Sequence, residues 1–189
     1  MLDFPNKKYN VIYADPPWCI GTIEMDKWKS PLSDKYPTMS DDELIKLPVK
    51  EITNDNSALF LWTTHSMIPT ALNLMEKWGF KYYCIITWDK GSGWCQHGFN
   101  KRTELLLFGY KGKITEVIKQ EGKFISTMIT ENKTTHSRKP HRVYAMIENS
   151  TIKPRIELFA RHKREGWDTW GNEVPKDMQK ILEVQDGSK

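Results

Sequence analysis

At 189 residues the chain has the length of one domain able to bury a sizeable core without disulfide or metal staples. Hydrophobic (39%) and charged (28%) contents are those of a soluble protein, and no run of 18 apolar residues is present, which excludes a transmembrane helix. The net charge of +4 is unevenly spread: residues 133–164 carry nine Lys or Arg against two Asp or Glu, a basic window suited to a polyanion partner. The first eight residues lack the apolar region of a secretion signal. Cys19, Cys84 and Cys95 are odd in number and lack metal-type spacing, so reduced thiols in a cytoplasmic protein are expected.

The first element is a short buried strand, Val11-Ile-Tyr13, which stops at Asp15-Pro-Pro-Trp18. Neither Pro16 nor Pro17 can extend a central strand, which leaves Asp15 at a carboxyl end, where open α/β sheets bind ligands. The prolines fix its carboxylate, one carbonyl and an exposed Trp18 ring in one relation. That set can stack on a flat heterocycle and accept hydrogen bonds from its exocyclic amine. The bland reading is a Pro-Pro turn with Trp18 as core filler.

Cys19 to Pro37 has no clean periodicity and follows the strand end directly, as a substrate lid would. In it Trp28 and Tyr36 are candidates for base stacking and Lys27 for a phosphate contact. Ser40-Asp-Asp-Glu43 forms a capping box that opens a short helix through Leu47. Ser57–Trp62 reads as a buried strand. Met67, Ile68, Ala71, Leu72, Met75 and Trp78 then mark the inner face of a helix that ends at Gly79. Strands are expected over Tyr82–Trp88 and Glu104–Tyr110, joined by Asp89–Arg102, a Gly-rich flexible loop with Trp94 and Phe99. Further strands are expected at Ile125–Ile129 and Arg155–Ala160, and helices at Pro140–Asn149 and Pro175–Val184. Strands alternating with helices predict a single α/β domain over 1–189 with a parallel-rich sheet.

Asp15-Pro-Pro-Trp18 resembles the signature of the DPPW-type adenine-N6 methyltransferases, the family of the eukaryotic messenger-RNA adenosine methyltransferase. Tyr36-Pro-Thr-Met-Ser-Asp-Asp-Glu-Leu44, Ala58–Trp62, Leu74–Phe80, Ser137-Arg-Lys-Pro140, Ile156-Glu-Leu-Phe-Ala-Arg161 and Gly166–Glu173 follow in the family's order. The resemblance implies a Rossmann-like, permuted (beta-class) domain that uses S-adenosylmethionine to methylate adenine N6 in nucleic acid. It implies that Asp15, Pro16, Pro17 and Trp18 are catalytic, with no metal. Lys139, Glu157, Phe159, Arg161, Asn172 and Glu173 become the cofactor-binding candidates, and Arg138 joins Lys27, Trp28 and Tyr36 toward the substrate. His162-Lys-Arg164 departs from the family's continuation, and the acidic cofactor contact that larger relatives carry upstream of Asp15 has no convincing counterpart.

Compactness favours DNA over RNA and a bacterial or phage origin, and the resemblance implies pairing as a homodimer or heterodimer. Two rivals remain open: a non-catalytic nucleic-acid-binding subunit, and a methyltransferase for another planar amine such as cytosine's. Trp18 weighs against the second, since those enzymes more often end the motif in Tyr or Phe.

Overall fold

The computed structural model describes residues 4–19, 38–96, 98–119, 124–132 and 138–171. Trp28, Tyr36, Lys27, Asn172, Glu173 and the helix expected at Pro175–Val184 lie outside them.

Among the described residues seven strands form one sheet: β1 (Tyr9–Ala14), β2 (Thr53–Thr63), β3 (Lys81–Gln96), β4 (Phe99–Lys111), β5 (Met128–Thr130), β6 (Arg155–Leu158) and β7 (Asp168–Trp170). Their order is β5-β3-β4-β2-β1-β6-β7. Only β4 runs antiparallel to its neighbours. One sheet edge therefore gathers the carboxyl ends of six strands and the amino end of β4. β1 lies between β2 and β6, with Val11, Ile12, Tyr13 and Ala14 each fully buried.

Alternation along the strands sends side chains to two cores. Ile12, Ala14, Leu59, Leu61, Ile156 and Leu158 face α1 (Asp41–Lys46) and α2 (Ile68–Lys77). Val11, Tyr13, Ala58, Phe60 and Trp62 face α3 (His141–Ser150), through Val143 and Ile147. The capping box is present as read: the Glu43 amide donates to Ser40 Oγ, and the Ser40 amide donates to the Glu43 carboxylate at 2.7 Å. Trp78 Nε1 donates to the Leu44 carbonyl at 3.0 Å and ties α2 to α1. Gly79 follows α2 with φ +87, the left-handed conformation that glycine adopts without penalty. Pro140 offers α3 no side-chain cap; instead the Glu131 carboxylate accepts from the His141 and Arg142 amides at 3.0 and 3.2 Å.

Several expectations are corrected. Asp89–Arg102 is no free loop. β3 and β4 continue as a paired ribbon, with Asp89 opposite Thr103 and Cys95 opposite Asn100, across one irregularity between Asp89 and Trp94. Backbone pairing holds it, and Asp89 receives the Arg102 Nε–H at 2.7 Å. Leu72 stands exposed while Leu74 is buried in its place, because α2 begins at Ile68 and turns that position outward. β6 ends at Leu158, since Phe159 takes φ +63 and leaves the extended region, and a further strand, β7, pairs beside it.

Candidate active site

The carboxyl ends of β1 and β2, Glu104 within β4 and the segment leading into α3 converge on one cluster of charge. Lys139 precedes Pro140, and the packing of Val143 and Ile147 on the sheet brings it over β1. Its ammonium lies 3.0 Å from Asp15 and 2.9 Å from Glu104. Lys90, on β3, reaches the other oxygen of Glu104 at 3.2 Å. Beneath the Lys139 ammonium lies the Trp62 ring, 4.9 Å to its centroid, a cation–π contact. The Asp15 and Lys139 side chains retain 27% and 15% exposure, so the pair borders solvent without being open to it.

Burial disfavours every charge here, and the partners decide the outcome. Burial raises the Asp15 carboxyl above its ordinary value, and Lys139 offsets this only in part. Burial also acts against the Lys139 ammonium, but Asp15 and Glu104 outweigh it and the lysine is raised. For Glu104 burial is likewise overcome, by Lys139 and then Lys90, and its carboxyl is lowered. The cluster therefore keeps a firmly protonated lysine between one firm carboxylate and one, Asp15, that is reluctant to ionise.

The tetrad is divided by the sheet. Trp18 is 8% exposed and belongs with Ala14, Leu44 and Leu74 in the core under α1 and α2, the face opposite Trp62 and α3. Its indole N–H donates to the Trp62 main-chain carbonyl at 3.0 Å. The expected exposed ring is thus corrected: the proline turn directs Trp18 inward, as core. The Pro16 carbonyl is also engaged, accepting the Trp18 amide at 2.8 Å in a tight turn centred on Pro17. The Pro17 carbonyl takes the Met39 amide at 2.9 Å. Pro16 is buried, and one further lone pair on its carbonyl remains for another donor.

At the end of β6 the cofactor candidates separate. Glu157 projects to the α3 side and accepts the Tyr144 hydroxyl at 2.9 Å. Burial, with Asp15 adding to it, pushes its carboxyl up to about 7 against the Tyr144 hydrogen bond. Phe159 instead packs toward the α1–α2 core, its ring 5.6 Å from that of Trp170. Arg161 is half-buried, and its charge favours the ionised form of Asp15. Arg138 is exposed beside Lys139. Glu104 went unread in the sequence. The one available signal was an acidic residue opening the run Leu-Leu-Leu-Phe, opposite Trp88 in the ladder. Among the described residues no group of three His, Cys, Asp or Glu could hold a metal. No described helix is long and apolar enough to cross a membrane.

A zwitterionic amino-acid group matches the donor set at this edge, an ammonium on Lys139 beside a carboxylate on Asp15. The sequence model for MT-A70 matches residues 9–173. Type II methyltransferase M.MunI from Mycoplasma sp is 36% identical over 197 residues, covering 94% of this chain and 82% of that protein. The zebrafish (Danio rerio) N(6)-adenosine-methyltransferase subunit METTL3 is 32% identical over 178 residues, covering 88% of this chain and 28% of that protein. The Drosophila melanogaster N(6)-adenosine-methyltransferase non-catalytic subunit METTL14 is 29% identical over 153 residues, 70% of this chain and 38% of that protein.

Proposed function

The chain belongs to the MT-A70 family, and from that membership and the Asp15–Lys139–Glu104 cluster we propose that it methylates the exocyclic N6 amine of adenine in nucleic acid, using S-adenosylmethionine. The observation that carries this reading is the 3.0 Å contact of Lys139 with Asp15 at the carboxyl edge of the sheet. When bound, S-adenosylmethionine supplies an electrophilic methyl on a sulfonium. Lys139 holds its carboxylate end. Glu157, Arg161, Asn172 and Glu173 are assigned to the same molecule, and Phe159 to its apolar surroundings.

Adenine's exocyclic amine is a poor nucleophile because its lone pair is delocalised into the ring. The Asp15 carboxylate and the free lone pair of the Pro16 carbonyl accept its two N–H bonds, which favours a pyramidal nitrogen and stabilises the charge that develops there. The paired prolines keep both acceptors in place, so that alignment supplies much of the rate. Trp18 contributes by holding this turn against α1 and α2. Base stacking falls to residues of the segment after Cys19, with Trp28 and Tyr36 the candidates, while Lys27 and Arg138 are assigned to phosphates. The whole is read as one domain in permuted motif order.

DNA is taken as the polymer over RNA. The long mutual coverage with the type II methyltransferase supports this, whereas the chain spans 28% of METTL3. A cytoplasmic protein acting as a homodimer or heterodimer completes the reading. The rival, a non-catalytic subunit, draws on the METTL14 likeness, but the intact Asp15–Lys139 pair favours catalysis. Mass spectrometry of nucleosides after incubating DNA or RNA with protein and S-adenosylmethionine tests the proposal. N6-methyladenine in the DNA supports it, and cofactor binding without methylation of either polymer supports the rival.

A further inference from the structure

A row of packed aromatic side chains, with a hydrogen bond at each end, runs through the α3 side of the sheet below the charge cluster. Trp62 Nε1 donates to the Tyr13 hydroxyl at 2.7 Å, the Tyr13 ring packs against that of Tyr144, and the Tyr144 hydroxyl donates to Glu157 at 2.9 Å. An indole N–H can only donate, so the Tyr13 hydroxyl is the acceptor at one end, while at the other the Tyr144 hydroxyl is the donor. The rings are wedged as well: Tyr13 and Tyr144 centroids are 5.0 Å apart, and Trp167 lies 5.9 and 5.8 Å from them. Tyr13 is fully buried and burial raises its phenol, so it stays a neutral link. At the head of the row the Trp62 ring meets Trp88 edge-on at 5.9 Å and bears Lys139 on its face at 4.9 Å. Core packing holds that ring, and the bond to Tyr13 is what satisfies its N–H.

We propose that Tyr13 and Tyr144 are positioning residues for methyl transfer: by holding the Trp62 indole in one orientation they set the platform from which Lys139 reaches Asp15 and Glu104. Their role presupposes the methyl-transfer reading above. Without the Tyr13 hydroxyl the buried indole N–H loses its acceptor, and the ring turns to find another. The ammonium that rests on it then moves relative to both carboxylates. Glu157, the terminal acceptor, is faced by Tyr144 and by Arg164 (whose guanidinium lies 3.9 Å over the Tyr144 ring), and by Tyr13 and Asp15 from β1. Its ionised form is the stronger acceptor and holds Tyr144, which packs on Tyr13, more tightly.

Calorimetric titration with S-adenosylmethionine, together with steady-state methylation of an adenine-containing oligonucleotide, tests this on proteins shown to be folded by circular dichroism. Tyr13→Phe is expected to weaken cofactor binding and lower kcat by about tenfold each, with the oligonucleotide KM unchanged, as a sub-ångström displacement would. Trp62→Phe keeps a ring under Lys139 and has no N–H to satisfy, so adding Tyr13→Phe to it should change binding and kcat less than about twofold. Tyr144→Phe should move the midpoint of the kcat–pH profile upward, because Glu157 loses the bond that favours its ionised form. Wild-type affinity and kcat in folded Tyr13→Phe would overturn the inference, and so would an equal loss on adding it to Trp62→Phe. A wild-type protein that binds no S-adenosylmethionine overturns the functional reading itself, and the positioning role with it.

Discussion

Asp15 and Trp18, three residues apart, look out on opposite sides of the sheet: the acid pairs with Lys139 on the α3 side, while the indole is packed between α1, α2 and the end of β2. The short double-proline turn makes this possible. It lets one tetrad serve both a site and a core, and it separates the effects of mutating each member.

Trp18→Ala should cost about 3–5 kcal/mol, the range for emptying a large aromatic site in a core. Trp18→Phe keeps much of the packing and loses the bond to the Trp62 carbonyl, at about 1–2 kcal/mol. Chemical denaturation checks both. Phe in this position should leave the oligonucleotide KM within about twofold of wild type, since a ring in the core contacts no base. A large rise in KM with unchanged stability would mean that the indole meets substrate.

Asp15→Asn preserves shape and leaves Lys139 its partner Glu104. The fold should therefore persist, with a midpoint of unfolding near wild type. Methyl transfer should fall by roughly 100-fold or more, the scale of removing one group aimed at charge that develops in the transition state. Quantifying methylated nucleosides alongside thermal unfolding separates the two effects.

Lys139→Met and Glu104→Gln probe the same cluster from its middle and its far side. Without the lysine, Asp15 and Glu104 face each other across the site with Lys90 and the charge of Arg161 left to offset them. Leaving a half-buried charge without its partner costs about 3 kcal/mol. Cofactor binding should be lost with it. Glu104→Gln leaves the Lys139–Asp15 pair and should cost about tenfold in kcat or less, since a neutral acceptor replaces a charged one. Calorimetry with S-adenosylmethionine orders the two, and a larger loss for Glu104→Gln would contradict this geometry.

How much of this could be read beforehand follows from range along the chain. β1 and the capping box of α1 are local patterns and stand where the residues put them, and the period of α2 holds except at Leu72, which faces outward while Leu74 is buried. The ribbon at Asp89–Arg102 was not legible, because its glycines and polar side chains say nothing about a backbone ladder that needs none of them. β7 is three residues long and forms only because β6 presents an edge to pair with. In the site, Asp15 and Lys139 were found through motifs. That they touch, that Glu104 completes them, and that Trp18 turns away depend on packing between segments up to 124 residues apart. The row from Trp62 through Tyr13 and Tyr144 to Glu157 was invisible for the same reason.

Glu157 gives a prediction with a sign. Its carboxyl titrates at about 7 in the folded protein, against an ordinary value of 4.5, because burial and then the charge of Asp15 act against ionisation more than Tyr144 favours it. The folded state therefore holds a proton that the unfolded chain has released, and stability falls as pH rises from about 4.5 to about 7. Below 4.5 both states are protonated and the group contributes no slope; above 7 the full penalty is present. A displacement of this size corresponds to at most about 3 kcal/mol, less what the partly exposed side chain regains from solvent. Glu157→Gln still accepts the Tyr144 hydroxyl but carries no charge. It should therefore be more stable than wild type at pH 8 by about 1–3 kcal/mol and indistinguishable at pH 4. Denaturant unfolding at the two values decides it: equal stability at pH 8 would mean that Glu157 ionises without strain in the folded protein.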